Sequence, residues 1–316
     1  MIKVLALDPI HEDGLALLRD APDVSLVHLA DPSDAEITSH IGDAEVLLLR
    51  GRMLSPGQWQ SARKLRLVSR HGVGCDNVDF QTMSRLGATV AVAADANFVS
   101  VAEHAFALML AACRRLITAD AAVRGGSWGC RDRLRAREVM GAQVLTVGYG
   151  RIGQAFAQRA SAFGAHVLVH DPYLPDGVSL PAGMRRLAEL DTAVAEADII
   201  SLHVPGTACL FGAGRLARCR EGALLINTSR GGLVDETALP AALDAGRPAV
   251  YATDVLANEP PAAGSPLLQR SDVIFTPHSA AMTAEGTRRM AIGCAQNALD
   301  FLAGRLPARM TAFAPG

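Results

Sequence analysis

The segment Val144-Leu-Thr-Val-Gly-Tyr-Gly-Arg-Ile-Gly153 carries an apolar run into a turn of three glycines spaced GxGxxG. Ile152, Ala155, Phe156, Arg159 and Ala160 then recur at helical spacing, so the turn joins a strand to a helix. That context gives each glycine a physical purpose. Gly148 permits the tight turn, Gly150 lets backbone N–H groups approach a pyrophosphate, and Gly153 lets helix and strand pack closely. Arg151 and Ile152 open the helix whose N-terminal N–H groups and dipole would receive the anion. A second apolar run, His166–His170, ends in Asp171, 18 residues beyond Gly153. A carboxylate there accepts hydrogen bonds from ribose hydroxyls and repels a 2′-phosphate, which favours NAD over NADP. The block reads as the opening βαβ unit of a Rossmann dinucleotide-binding domain.

On both sides of it, short apolar runs alternate with helical patterns. Upstream the runs are Val4–Leu7, Val24–His28, Val46–Leu49, Leu67–Ser69 and Thr89–Val92. Around and after the glycine turn they are Gln143–Val147, His166–His170, Asp198–Leu202, Ala223–Asn227, Val250–Thr253 and Val273–Thr276. Two such series predict an α/β protein with two doubly wound parallel-sheet domains. Between the series, Val101, Ala105, Leu108, Met109, Ala112 and Leu116 keep helical step over roughly 25 residues from Asn97. One long helix is expected there, apolar on several sides and suited to packing against a partner subunit, hence a homodimer. After Ala281, Met290, Cys294, Ala298 and Leu302 predict a second long helix running almost to the C terminus. The two helices bracket an insertion: residues 98–281 form the NAD-binding domain, and 1–97 plus 282–316 form the other.

The 316 residues are half hydrophobic and a fifth charged, with a formal net charge of −2. Only Lys3 and Lys64 are lysines; the remaining 28 of the 30 basic residues are arginines. This excludes a GxxxxGK[ST] phosphate loop, a Schiff-base lysine and a Ser-Lys nucleophile, because neither lysine is placed for a site. Anions must be held by arginine, backbone N–H groups or helix ends. The balanced, interspersed charge argues against nucleic acid and against a polybasic membrane contact. The six cysteines are scattered, so neither a metal site nor a disulfide framework is expected. Met1-Ile-Lys-Val-Leu-Ala-Leu-Asp8 reads as a strand rather than a leader, and the apolar stretch Phe106–Cys113 is too short to span a bilayer. A cytoplasmic protein is the expectation.

Further blocks are Ile226-Asn-Thr-Ser-Arg-Gly-Gly-Leu-Val-Asp235, Asp254-Val-Leu-Ala-Asn-Glu-Pro260 and Thr276-Pro-His-Ser-Ala280. Upstream stand His71-Gly-Val-Gly-Cys-Asp-Asn-Val-Asp79 and Ser100-Val-Ala-Glu-His104. In this order, and with the glycine turn, they closely resemble the D-isomer-specific 2-hydroxyacid dehydrogenases over nearly the whole chain. The resemblance implies a Rossmann NAD domain inserted into a flavodoxin-like substrate domain, and hydride transfer between NAD(H) and a small 2-keto or 2-hydroxy acid. It assigns Arg230 to the substrate carboxylate and carbonyl, His278 to general acid/base work, and Glu259 to the imidazole. The chemistry suits those residue types. Hydride addition to a keto acid puts negative charge on oxygen, which needs a proton donor and a fixed cation. A carboxylate beside a histidine favours the protonated ring, and arginine offers a carboxylate a planar two-toothed fit.

By the same resemblance, Asp254 lies near the nicotinamide carboxamide, Val204, Thr228 and Ser229 line the cofactor, and the Gly72-Val73-Gly74 turn binds the substrate carboxylate. Arg50 and Arg70, each following a strand, are compatible with a second anionic group on the substrate. After His203-Val-Pro205 this chain has Gly206-Thr-Ala-Cys-Leu where relatives carry a Leu-Thr-like polar segment. Relatives that oxidise formate carry an amide at the position of Glu259, so an acid there points to proton transfer. An NAD-sensing corepressor on the same scaffold is the alternative; it would need added interaction segments, as amino-acid sensing would need a C-terminal extension.

Overall fold

The structure is a computed structural model that describes residues 1–315. The chain divides into two compact units, Met1–Asn97 with the segment from Met282 onward, and Phe98–Ala281. The first unit opens with β1 (Ile2–Leu7), α1 (Glu12–Arg19), β2 (Val24–Leu29), α2 (Asp34–Ile41), β3 (Val46–Leu49), α3 (Pro56–Ser61), β4 (Leu67–Arg70), α4 (Phe80–Leu86) and β5 (Thr89–Val92). Local chemistry sets the helix starts. Ser33 with Glu36 and Ser55 with Gln58 close capping boxes, and the Asp79 carboxylate caps α4.

The second unit begins with α5 (Phe98–Arg114) and α6 (Leu116–Arg124), then β6 (Gln143–Val147), α7 (Arg151–Ala162), β7 (His166–His170) and β8 (Met184–Arg186). It continues with α8 (Leu190–Glu196), β9 (Ile199–Leu202), α9 (Ala213–Leu216), β10 (Leu224–Asn227), α10 (Leu239–Asp244), β11 (Val250–Thr253) and β12 (Val273–Phe275). α11 (Ala284–Leu302) and β13 (Thr311–Phe313) complete the first unit.

In the second unit the sheet order is β12-β11-β10-β9-β6-β7-β8, with every strand pair parallel. Numbered within the unit this is the doubly wound order of a Rossmann domain, and the switch point lies between β6 and β9. The first unit's order, β13-β5-β4-β3-β1-β2, is the flavodoxin-like winding with one added antiparallel edge. Alternate residues supply the two faces. Leu5, Leu7, Leu47 and Leu49 enter one core, while Val4, Ala6, Val46 and Leu48 enter the other. Burial on both faces explains why these strands read as unbroken apolar runs.

Two expectations are corrected. The single long helix from Asn97 is two helices, because Arg115 adopts φ 52 between them. A left-handed residue cannot extend an α-helix, and the Arg115 N–H reaches only Ala112 O, at 3.3 Å. α5 is buried along its length, whereas α6 buries no residue within the chain. The C-terminal helix stops at Leu302, and the chain reverses through Gly304 at φ 67 to lay β13 against β5. No helix among the described residues is long and apolar enough to cross a membrane.

Candidate active site

β6 ends at Val147 and the chain enters Gly148 at φ 92, a conformation that favours glycine. A Cβ on Gly148 would stand 2.5 Å from the His203 carbonyl oxygen, and one on Gly153 only 2.1 Å from the Gly148 carbonyl oxygen. Gly150 differs: a Cβ there would meet nothing within 4 Å. Two glycines are thus required by the protein's own backbone, and the third borders open space. Gly150 also caps α7 without any side-chain hydrogen bond, which leaves the helix N-terminus available to an anion. Gln154 Nε2 donates to Tyr149 O at 2.9 Å and steadies the turn.

Asp171, just beyond β7, accepts Tyr149 N–H at 2.8 Å on one oxygen and Tyr173 N–H at 2.9 Å on the other. Its carboxylate is therefore pinned beside the glycine turn. The Thr228 hydroxyl is buried with no hydrogen-bond partner among the described residues. Val204 packs over the turn, its Cγ1 2.9 Å from an ideal Cβ on Gly148. The His203 ring packs tilted against Phe156 with centroids 4.9 Å apart, and burial pushes its pKa down to about 3, so it is neutral. An open cradle at Gly150, an uncapped helix N-terminus and an orphaned buried hydroxyl all fit a dinucleotide.

At the same carboxyl-end rim of the sheet lie the loops after β10, β11 and β12. His278 Nδ1 stands 2.6 Å from Glu259 Oε2, and the other Glu259 oxygen accepts Leu256 N–H at 2.9 Å. His278 adopts φ 52, and its N–H donates to Asp254 O at 2.8 Å. The Asp254 carboxylate, only 2% exposed, accepts from Thr276 Oγ1, Ser279 N and Ala280 N at 2.6, 2.8 and 2.8 Å. Asp254 therefore folds the loop that presents His278. His104, on α5, extends this network: its Nε2 lies 2.8 Å from Thr276 Oγ1 and 3.6 Å from Asp254 Oδ1. Residue type alone did not single out His104 or Glu236. Glu236 accepts Ala257 N–H at 2.8 Å; burial raises its pKa, and the like charge of Glu259 adds to the rise.

Arg230 follows β10 in a turn built by Asn227. The Asn227 side chain is fully buried; its amide donates to Arg230 O at 3.0 Å and its oxygen accepts Ser229 N–H at 3.0 Å. Ser229 Oγ donates to Leu202 O at 2.8 Å, so that hydroxyl braces the turn. A Cβ on Gly231 would stand 1.9 Å from the Leu256 carbonyl carbon. The Arg-Gly-Gly sequence is thus what lets the Arg230 turn run against the loop carrying Glu259.

In the first unit, Arg50 and the Gly72–Gly74 turn follow β3 and β4. Arg50 Nη1 donates to Pro9 O at 2.7 Å, and Gly72 adopts φ 140. Arg70 is buried, with Nε donating to Gly74 O at 2.8 Å and Nη1 to Leu49 O and Arg50 O. Through those bonds Arg70 braces the turn. His71 lies beside it; burial, then the charges of Arg50 and Arg70, push its pKa down to about 4.

A Rossmann sheet with this glycine turn, a pinned acidic residue after β7 and the His278–Glu259 pair defines a dinucleotide-binding α/β protein. Residues 106–280 match the model of the D-isomer specific 2-hydroxyacid dehydrogenase NAD-binding domain. The chain belongs to that family, and its second unit is the NAD-binding domain. D-3-phosphoglycerate dehydrogenase of Methanocaldococcus jannaschii is 36% identical over 310 residues, 97% of this chain and 58% of that one. A solved Thermus thermophilus protein superimposes with a TM-score of 0.85 at 31% identity, covering 99% of this chain and 100% of that one. The NAD complex of Staphylococcus aureus formate dehydrogenase gives 0.87 at 26% identity, covering all of both chains. The chain spans 49–58% of the length of the first curated relatives it matches.

Proposed function

We propose that this chain is an NAD-dependent oxidoreductase that moves hydride between NAD(H) and a small 2-keto or 2-hydroxy acid of the D series. The His278–Glu259 contact of 2.6 Å carries the reading. When bound, the cofactor supplies or accepts the hydride. Gly148, Gly150 and Gly153 with Arg151 and Ile152 shape its pyrophosphate site, Asp171 serves its ribose, and Val204 and Thr228 line it. Glu259 accepts the Nδ1 proton of His278 and thereby aims Nε2, which makes no hydrogen bond among the described residues, at substrate oxygen. In reduction, Nε2–H gives its proton to that oxygen as charge develops there; in oxidation it takes the proton back. Arg230 grips the substrate carboxylate and stabilises the developing oxyanion.

In the first unit, the Gly72–Gly74 turn is assigned to carboxylate binding through backbone N–H groups, with Arg70 holding its shape. Arg50 is assigned to a second anionic group, so dianionic keto acids are the favoured class. The exposed Leu116, Ile117 and Val123 on α6 support a homodimer. The test is loss of NADH absorbance with a panel of mono- and dianionic 2-keto acids. Turnover, greatest with dianions, is expected. Tight NADH binding without turnover of any keto acid would overturn the catalytic assignment.

A further inference from the structure

At the amino end of the second unit's sheet, the rim opposite the Arg230, Glu259 and His278 loops, lies a cavity of about 310 Å³. It opens beneath β10 and β11, with Gly222 and Gly246 in its wall and Arg115, Arg135 and Arg137 around it. We propose that this cavity is a second anion-binding site, in which the three arginines hold a compact oxyanion of two or more charges. It takes no part in the proposed hydride transfer.

Three observations converge on it. Of the carboxylates nearby, Asp198 pairs with Arg220 at 3.0 Å and Asp272 with Arg270 at 2.7 Å, while Glu221, the one acid in the lining, is exposed and lies 3.8 Å from Arg247. None of Arg115, Arg135 and Arg137 has an ion pair among the described residues, although Arg137 is anchored by Nη1 to Asp198 O at 3.1 Å. Two of the cavity's arginines have left-handed backbone. Of the four described non-glycine residues with positive φ, Arg115 (φ 52) and Arg135 (φ 48) line this cavity, His278 belongs to the candidate active site, and Asp8 lies in the first unit. Such conformations persist where surrounding structure fixes them, and they gather at binding sites. Finally, burial lowers the Arg115 pKa; the Asp272 charge opposes part of that, and the like charge of Arg137 adds a smaller lowering. An anion in the cavity would relieve both effects. Guanidinium forks match phosphate and carboxylate oxygens, and the volume suits a phosphate ester or a tricarboxylate.

The test is calorimetric titration of the NADH-saturated protein with inorganic phosphate and, separately, with citrate, at constant ionic strength in chloride. Arg135→Glu inverts one exposed charge of the site, and Arg63→Glu, exposed in the first unit, makes the same change in net charge. Arg115→Gly removes a second site charge and relaxes its left-handed backbone. The wild type and R63E are expected to bind alike, R135E and R115G at least about tenfold more weakly. Saturating anion is expected to raise the wild-type Tm and leave that of R135E unmoved. Tighter binding of phosphate than citrate would assign a phosphorylated ligand, and the reverse a polycarboxylate. Equal affinity in wild type and R135E, or no heat with either anion, would overturn the proposal.

Discussion

His278 is held from two directions: its Nδ1 lies 2.6 Å from Glu259 Oε2, and its backbone N–H donates to Asp254 O at 2.8 Å. Glu259 sets the ring and Asp254 sets the loop, so the two acids should fail differently. His278→Ala removes the proton donor and is expected to cost roughly 10²–10⁴ in kcat with NADH affinity unchanged. Glu259→Gln keeps an acceptor for Nδ1–H but loses the charge, and a smaller loss of kcat, about tenfold or more, is expected. Steady-state rates with an accepted keto acid, alongside NADH titration by fluorescence, separate these outcomes. Near-normal turnover of H278A would remove the acid/base assignment.

The glycine turn allows binding and folding to be separated. A Cβ at position 153 would sit 2.1 Å from the Gly148 carbonyl oxygen, whereas at position 150 it would meet nothing within 4 Å. Gly153→Ala should therefore destabilise the second unit by several kcal/mol, of the order seen for severe overpacking. Gly150→Ala should leave Tm within a few degrees, yet weaken NADH binding about tenfold or more by filling space needed for close backbone approach. Thermal melts and NADH titration of both variants read the contrast. Intact NADH affinity in G150A would show that the pyrophosphate does not lie there.

Asp171 is already bonded to Tyr149 N–H at 2.8 Å and Tyr173 N–H at 2.9 Å, so its substitution has two effects. Asp171→Asn removes the charge that repels a 2′-phosphate and keeps an acceptor for only one of the two N–H groups. The ratio of kcat/KM for NADH over NADPH is expected to fall about tenfold or more, with a modest fall in Tm from the one N–H group that loses its acceptor. Asp171→Ala should add a loss of about 1–3 kcal/mol, because the tethered N–H groups lose their acceptor. An unchanged cofactor ratio in D171N would break the link between this carboxylate and the ribose.

Both parallel sheets were legible because buried strands must be apolar on two faces, and runs such as Val46–Leu49 leave little else to read. The short edge strands β8 and β13 escaped notice, since Met184–Arg186 and Thr311–Phe313 lack such a run. The α5–α6 break was hidden because helical spacing continues through it to Leu116, and nothing in an arginine announces a positive φ. The same limit applied to supporting residues. Gly148, Glu259 and His278 announce themselves by type and spacing, whereas Asn227, His104 and Glu236 act through contacts that exist only after folding. Arg70 shows the same limit, since its position beside the glycine turn does not reveal its bonds to the Leu49, Arg50 and Gly74 carbonyls.

Acid should destabilise the fold through two buried histidines. Burial lowers the pKa of His203 from 6.5 to about 3, and burial with the charges of Arg50 and Arg70 lowers that of His71 to about 4. Unfolded, both rings take up protons near pH 6.5; folded, they stay neutral until the lower values. Between those limits the unfolded state binds more protons, so stability is complete above about pH 6.5 and declines as pH falls. Each ring contributes a slope of up to about 1.4 kcal/mol per pH unit, and the pair together about 3 kcal/mol between pH 6.5 and pH 5. Urea unfolding at intervals from pH 7.5 to pH 5 measures the decline. His203→Phe keeps a ring against Phe156, 4.9 Å from the present imidazole, while deleting one of the two titrations. The variant should show about half the wild-type slope across this window, and an undiminished slope would mean that His203 is not held neutral by the fold.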